Sequence, residues 1–180
     1  MRNIIAISGE PGTGKTSLMW RFINEYNWIE TEPKKSLPCL YNDELDLYIM
    51  GKYKQGEVFA GTDRYSMSIQ PTAVEFVKTT SSNILFEGDR LTNGKFYDTL
   101  LSLPETNVKF FVISAKKELL SERYEARGSN QSATFLKGRK TKIDNIVMNF
   151  EYMDYTETFS NNNYDDQKVI LDRIKETLIK

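Results

Sequence analysis

The chain opens on an uninterrupted apolar run, Ile4-Ile5-Ala6-Ile7, closed by Ser8 and Gly9. A short run of this kind bounded by glycine predicts a strand buried on both faces. From Ser17 to Tyr26 the period changes: Leu18, Trp20, Phe22 and Ile23 form the inward side of a helix, while Arg21, Asn24 and Glu25 look outward. Ile84-Leu85-Phe86 and Val108 to Ile113 read as two further buried strands. Helices are expected after the first-turn proline Pro71, from Lys95 to Leu103 ahead of Pro104, and from the cap Ser114 to Arg127 with Gly128 as its stop. Thr141 with Asp144 three residues on predicts another through Phe150, and Gln167 to Ile179 closes the chain as an amphipathic helix. Residues 27–53 mix prolines, acids and aromatics without a period and read as loops around one or two short elements. Residues 130–142 read as a polar, basic loop, and Glu151 to Asp166 as solvated acidic surface. Strands alternating with helices predict a three-layer α/β domain with a mainly parallel sheet and right-handed crossovers. With no repeat or linker, residues 1–180 are expected to form one domain.

The stretch between the first strand and the first helix is Gly9-Glu10-Pro11-Gly12-Thr13-Gly14-Lys15-Thr16, followed by Ser17. It satisfies the phosphate-loop pattern G-x-x-x-x-G-K-[ST] in both spacing and context. Glycines let successive backbone N–H groups turn toward a phosphate, and the helix amino end adds partial positive charge. Lys15 reaches the β and γ phosphates, and Thr16 offers its hydroxyl to magnesium. No D-x-x-G occurs, and Thr141-Lys142-Ile143-Asp144 lies outside any apolar strand, so ATP is favoured over GTP.

The second predicted strand ends in Glu87-Gly88-Asp89-Arg90. Ligands of an open parallel sheet sit at the carboxyl ends of its strands, so these groups should face the nucleotide. Glu87 or Asp89 would supply a carboxylate for magnesium or for the attacking hydroxyl, with Asp89 as the candidate metal ligand beside Thr16. Arg90 would neutralise the moving phosphoryl group. Asp63-Arg64-Tyr65 suits an acceptor bearing both a phosphate and a base. Between Lys116 and Lys142 eight basic residues face three acids. Arg123 and Arg127, four apart, share a helix face, and Gly128 and Gly138 bracket a hinged segment. This region, about residues 123–142, is expected to act as a lid whose arginines close over the phosphates and exclude water.

Composition narrows the chemistry further. There is no histidine, which excludes Ser-His-Asp and Cys-His triads and histidine-ligated metals. The single cysteine, Cys39, forms no internal disulfide and suits a small buried side chain in a cytosolic protein. The net charge of −1 gives no global attraction to polyanions, and no apolar run is long enough to span a membrane.

Together the phosphate loop, the strand-terminal Asp89-Arg90 and the pair Arg123/Arg127 resemble the P-loop nucleoside and nucleotide kinases, thymidylate kinases in particular. Asp63-Arg64-Tyr65 with Ser68 and Gln70 is similar to the thymidylate-kinase Asp-Arg-Tyr element, displaced from its usual strand. The layout, with Glu87 to Leu91 and the basic run Gly128 to Lys142, resembles virus-encoded kinases of that group that phosphorylate 5-hydroxymethyluracil within DNA. The resemblance implies a P-loop nucleoside triphosphate hydrolase fold, ATP with magnesium, and γ-phosphoryl transfer to a nucleotide or DNA acceptor. A DNA acceptor would meet Asn130, Gln131, Lys137, Arg139 and Lys142 along its backbone and Phe135 by stacking. A free deoxynucleoside monophosphate is the alternative acceptor, and an ATPase or binding module with no acceptor the other class. The resemblance leaves room for a homodimer and places the protein in the cytoplasm.

Overall fold

A computed structural model describes residues 1–57 and 59–179. The strand predicted first, β1 (Arg2–Ser8), lies at the centre of a seven-stranded sheet, its residues Ile4 to Ile7 fully buried. It pairs in parallel with β5 (Asn83–Glu87) on one side and β6 (Thr106–Ser114) on the other. The parallel set is completed outward by β4 (Leu47–Met50) and β7 (Thr156–Ser160). Two antiparallel strands, β2 (Ile29–Lys34) and β3 (Leu37–Asn42), extend the β4 edge, giving the order β2-β3-β4-β5-β1-β6-β7.

The pleat of β1 divides the core in two, since successive side chains point to opposite faces. Ile4 and Ala6 meet Phe86, Phe96, Tyr97 and Phe110 beneath α2 (Gln70–Thr79) and α3 (Gly94–Leu101). Ile5 and Ile7 meet Leu18, Phe22, Phe111 and Ile174 beneath α1 (Lys15–Ile23) and α6 (Tyr164–Leu178). Helices on both faces of a mainly parallel sheet make the three layers expected. α4 (Lys117–Ala126) buries no residue, and α5 (Ala133–Val147) anchors itself only by Ile143 and Ile146. No helix among the described residues is long and apolar enough to cross a membrane.

Four expectations are corrected. Residues 27–53 are not mainly loop; they hold β2, β3 and β4. The basic loop 130–142 is largely the helix α5, with Gly138 in its interior. Thr141 caps nothing; its hydroxyl donates to the Lys137 carbonyl. Ser114 ends β6, and α4 starts three residues later. The acidic segment lies at the surface as expected, with Glu151, Asp154 and Asp165 exposed; it contains β7, and Asp165 and Asp166 lie in the first turn of α6, where negative charge favours the helix dipole.

Candidate active site

The phosphate loop links β1 to α1 at the carboxyl edge of the sheet. Gly14, at φ 86°, stands at the helix start in the left-handed region that glycine enters without steric cost. Among the described residues, nothing accepts a hydrogen bond from the backbone amides of Gly12, Gly14, Lys15 or Thr16. Four unpartnered donors converging on a helix amino end form an anion cradle. The outside of the loop is clamped. Asn161 Nδ2 donates to the Thr13 carbonyl at 2.8 Å, Arg123 to the carbonyls of Gly12 and Asn161 at 2.9 and 3.1 Å, and the Tyr124 hydroxyl to that of Pro11 at 2.6 Å.

Lys15 spans the loop, donating from Nζ to the carbonyls of Gly9 and Glu10 at 2.8 and 3.1 Å. Burial pushes its pKa down, against the pull of Glu87, Asp63 and Asp89. Glu87 is opposite Ile7 in the β1–β5 register and only 1% exposed. Its Oε1 accepts from the Thr16 hydroxyl at 3.2 Å and the Tyr53 hydroxyl at 3.4 Å. Burial raises its pKa to about 7, with Lys15 the main opposing charge. Gly61 makes room for it, because a Cβ there would collide with Oε1.

Beyond Glu87 the chain turns sharply, and a 3-10 turn, Thr62–Arg64, packs against the bend. Thr62 donates from its hydroxyl to the Glu87 carbonyl at 2.9 Å. Asp63 Oδ1 accepts from the amides of Asp89 and Arg90 at 2.8 and 3.2 Å. The Asp89 carboxylate is held from α5, by an ion pair to Arg139 and by Lys142 Nζ at 3.0 Å. Asp63, Glu87, Asp89 and Arg90 line a cavity of about 610 Å3 that runs from the phosphate loop to a mouth bordered by Phe59, Phe135 and Arg139. The Arg139 guanidinium lies 4.5 Å from the Phe135 ring centroid. A second cavity of about 330 Å3 adjoins the loop on its other side, among Gly14, Ser17, Arg123, Asn163, Tyr164 and Gln167.

Of the predicted site residues, Lys15, Thr16, Asp63, Glu87, Asp89, Arg90, Arg127 and Arg139 meet in the large cavity, and Arg123 reaches the loop from outside. Glu10 and Thr13 serve the loop itself: the Thr13 hydroxyl donates to the Glu10 carbonyl at 2.8 Å. The structure takes three residues elsewhere. Arg64 pairs with Glu57 at 2.9 Å. Tyr65 is buried and donates to the Pro38 carbonyl, so its ring stacks on no acceptor. Lys137 points to solvent from α5. Thr16 meets Glu87 and not Asp89. Residues that the sequence did not flag include Asn161, Tyr124, Tyr53 and Phe59. The one available sign was the Asn161-Asn162-Asn163 triplet, whose last member caps α6.

The profile of the P-loop Nucleotide Kinase3 family matches residues 1–169. The chain belongs to this family. It is therefore a P-loop kinase, a nucleotide-binding phosphotransferase by membership. No curated protein matches it. Among solved structures it resembles a gluconokinase from Sinorhizobium meliloti 1021, with 15% identity and a TM-score of 0.52 over 99% of this chain and 97% of that one. An uncharacterized protein from Eubacterium ventriosum ATCC 27560 gives 15% and 0.51 over 99% and 98%. A sugar kinase from Janibacter sp. HTCC2649, an unliganded structure, gives 13% and 0.50 over 99% and 95%. At these identities the likeness establishes the P-loop kinase fold.

Proposed function

We propose that the protein is an ATP-dependent kinase that transfers the γ-phosphoryl group to a nucleotide acceptor, with 5-hydroxymethyluracil in DNA as the acceptor favoured. The observation that carries the kinase reading is the continuity of one cavity from the free loop amides to an aromatic-bordered mouth. The second cavity, beside Arg123 and the Asn161–Asn163 turn, suits the purine base of ATP.

Within that reading, the loop amides and Lys15 hold the β and γ phosphates. Their hydrogen-bonding capacity fits, since four amides are unspent and Lys15 already sits across the loop. Magnesium would be held by Thr16 with Glu87, the hydroxyl and carboxylate that meet at the loop mouth, while Asp89 is already paired with Arg139 and Lys142. The ion supplies neutralisation of charge on the phosphate oxygens. Two protein ligands suit a cation that keeps several waters. Arg90 and Arg127 face the same cavity as charge clamps, and Arg123 fixes the loop carbonyls. The segment from α4 to α5 acts as the lid, with Arg139 and Lys142 bridging it to the floor.

The base-in-DNA acceptor is supported by the mouth. Phe59 borders the cavity yet is 61% exposed, and Phe135 is 38% exposed, so aromatic surface is open to a base presented from a large molecule. The deoxynucleoside monophosphate alternative is supported by the number of cavity cations. Incubation with γ-labelled ATP and either hydroxymethyluracil-containing duplex or thymidylate separates them, with label expected in the duplex. ATP turnover with label in neither acceptor would return the protein to the acceptor-free ATPase class. Lys15→Ala should lower transfer by on the order of 10²-fold or more, with an unchanged circular dichroism spectrum; full retained turnover would refute the loop assignment.

A further inference from the structure

Three carboxylates line the large cavity, Asp63, Glu87 and Asp89, and their hydrogen bonding sorts them. Glu87 is enclosed with Thr16 and Tyr53 beside Lys15. Asp89 gives one oxygen to Arg139 and the other to Lys142. Asp63 differs from both. Its Oδ1 is fixed by two backbone amides at the β5 bend, and among the described residues no group donates to its Oδ2 or forms an ion pair with it. A carboxylate anchored by one oxygen, with the other open in the cavity, is oriented and available to accept a proton.

We infer that Asp63 is the carboxylate that takes the acceptor's proton, and that the acceptor is accordingly an alcohol and not a phosphate. This rests on the kinase reading above and names its substrate class. A phosphate monoester is already ionised near neutral pH, its second pKa being about 6. It needs no base, and a fixed carboxylate at its oxygen would repel it. An alcohol keeps its proton until its oxygen bonds to phosphorus, so it needs an acceptor within hydrogen-bond reach. In the step, the alcohol oxygen forms a bond to the γ-phosphorus while the bond from that phosphorus to the β–γ bridging oxygen breaks. ADP leaves with the electron pair, and the alcohol proton passes to Asp63 Oδ2 and then to solvent. The hydroxymethyl group of a modified pyrimidine is such an alcohol; the 5′-phosphate of a mononucleotide is not.

The test uses Asp63→Asn, whose amide oxygen can still accept from the two backbone amides. With γ-labelled ATP and hydroxymethyluracil duplex, kcat should fall by on the order of 10²–10⁴-fold. The KM for ATP and the melting temperature should stay unchanged. Asp63→Ala, which also loses the amide bonds, should melt earlier as well, separating the structural from the chemical role. Loss of kcat in Asp63→Asn at an unchanged melting temperature is the supporting result. A kcat within about threefold of wild type would overturn the inference while leaving the kinase reading standing. Transfer by the wild type to thymidylate in preference to the duplex would overturn the alcohol acceptor alone. Transfer to neither would bring down the kinase reading itself.

Discussion

Glu87 and Lys15 are oppositely charged groups sharing a buried pocket, and burial works against the charged form of each. For Glu87 the consequence is a pH dependence of fold stability. The native chain retains the Glu87 proton up to about pH 7, whereas the unfolded chain releases it near 4.5. Between those values the native state binds more protons, so stability falls as pH rises. The contribution is complete below about 4.5 and lost as pH passes about 7. Lys15, whose pKa is lowered, works in the opposite sense on the alkaline side. Glu87→Gln should therefore flatten the decline in urea midpoint between pH 4.5 and 7 measured without nucleotide. An identical slope in variant and wild type would mean that Glu87 is ionised throughout. The same residue explains why Gly61, 26 positions earlier, is glycine: the carboxylate occupies the space that a side chain would take.

At the scale of elements, α5 shows how attachment differs from helicity. It docks through two buried side chains, Ile143 and Ile146, and through the ion pairs that Arg139 and Lys142 make with Asp89. Each of those charged groups is about 30% exposed, so the pairs contribute little energy and the two isoleucines dominate. Ile146→Ala should cost about 2–5 kcal/mol locally, and the amides of 139–147 should exchange with solvent before those of β1 do. Equal acceleration in β1 would show that α5 and the sheet open as one unit. The same weak burial explains what sequence could and could not say. β1, β5 and β6 are buried on both faces and are written as continuous apolar runs. β2, with Glu30, Glu32 and Pro33, lies at one sheet edge and is half solvated. β7, Thr-Glu-Thr-Phe-Ser, lies at the other edge, and so neither shows a strand signal. α5 is basic because most of it faces solvent, which is why its sequence reads as loop. The phosphate loop and the Glu87 to Arg90 turn were legible because local spacing sets their chemistry. Asn161 and Phe59 were not, because only the tertiary fold brings them to the site.

Across the whole molecule, a net charge of −1 conceals an uneven distribution. Of the eight cations between Lys116 and Lys142, Arg139 and Lys142 serve Asp89, and Lys140 serves Asp144. Lys116, Lys117, Arg123, Arg127 and Lys137 form no ion pair among the described residues. They all belong to the segment running from the end of β6 to α5, which borders the cavity mouth. The acidic segment after it stays at the surface, before and along β7 and in the first turn of α6, and Glu157 pairs with Lys109 and Arg173. Arg123 is spent on the loop carbonyls and Arg127 faces the large cavity, so if the acceptor base belongs to DNA, the exposed cations of this segment, Lys137 above all, are the ones that meet its phosphates and release counterions. Lys137, exposed on α5, should account for about 0.9 of the slope of log affinity against log salt concentration for duplex DNA. Lys137→Ala should reduce the slope by that amount and weaken binding alike for modified and unmodified duplex, since a backbone contact reads no sequence. An unchanged slope in Lys137→Ala and also in Arg139→Ala would place the DNA elsewhere and move the acceptor toward a small nucleotide. A reduced slope with unchanged preference for hydroxymethyluracil would divide the work as the fold suggests. Cations of the α4–α5 segment would hold the polymer, while the cavity floor built by β1 and β5 would carry out the chemistry on one base.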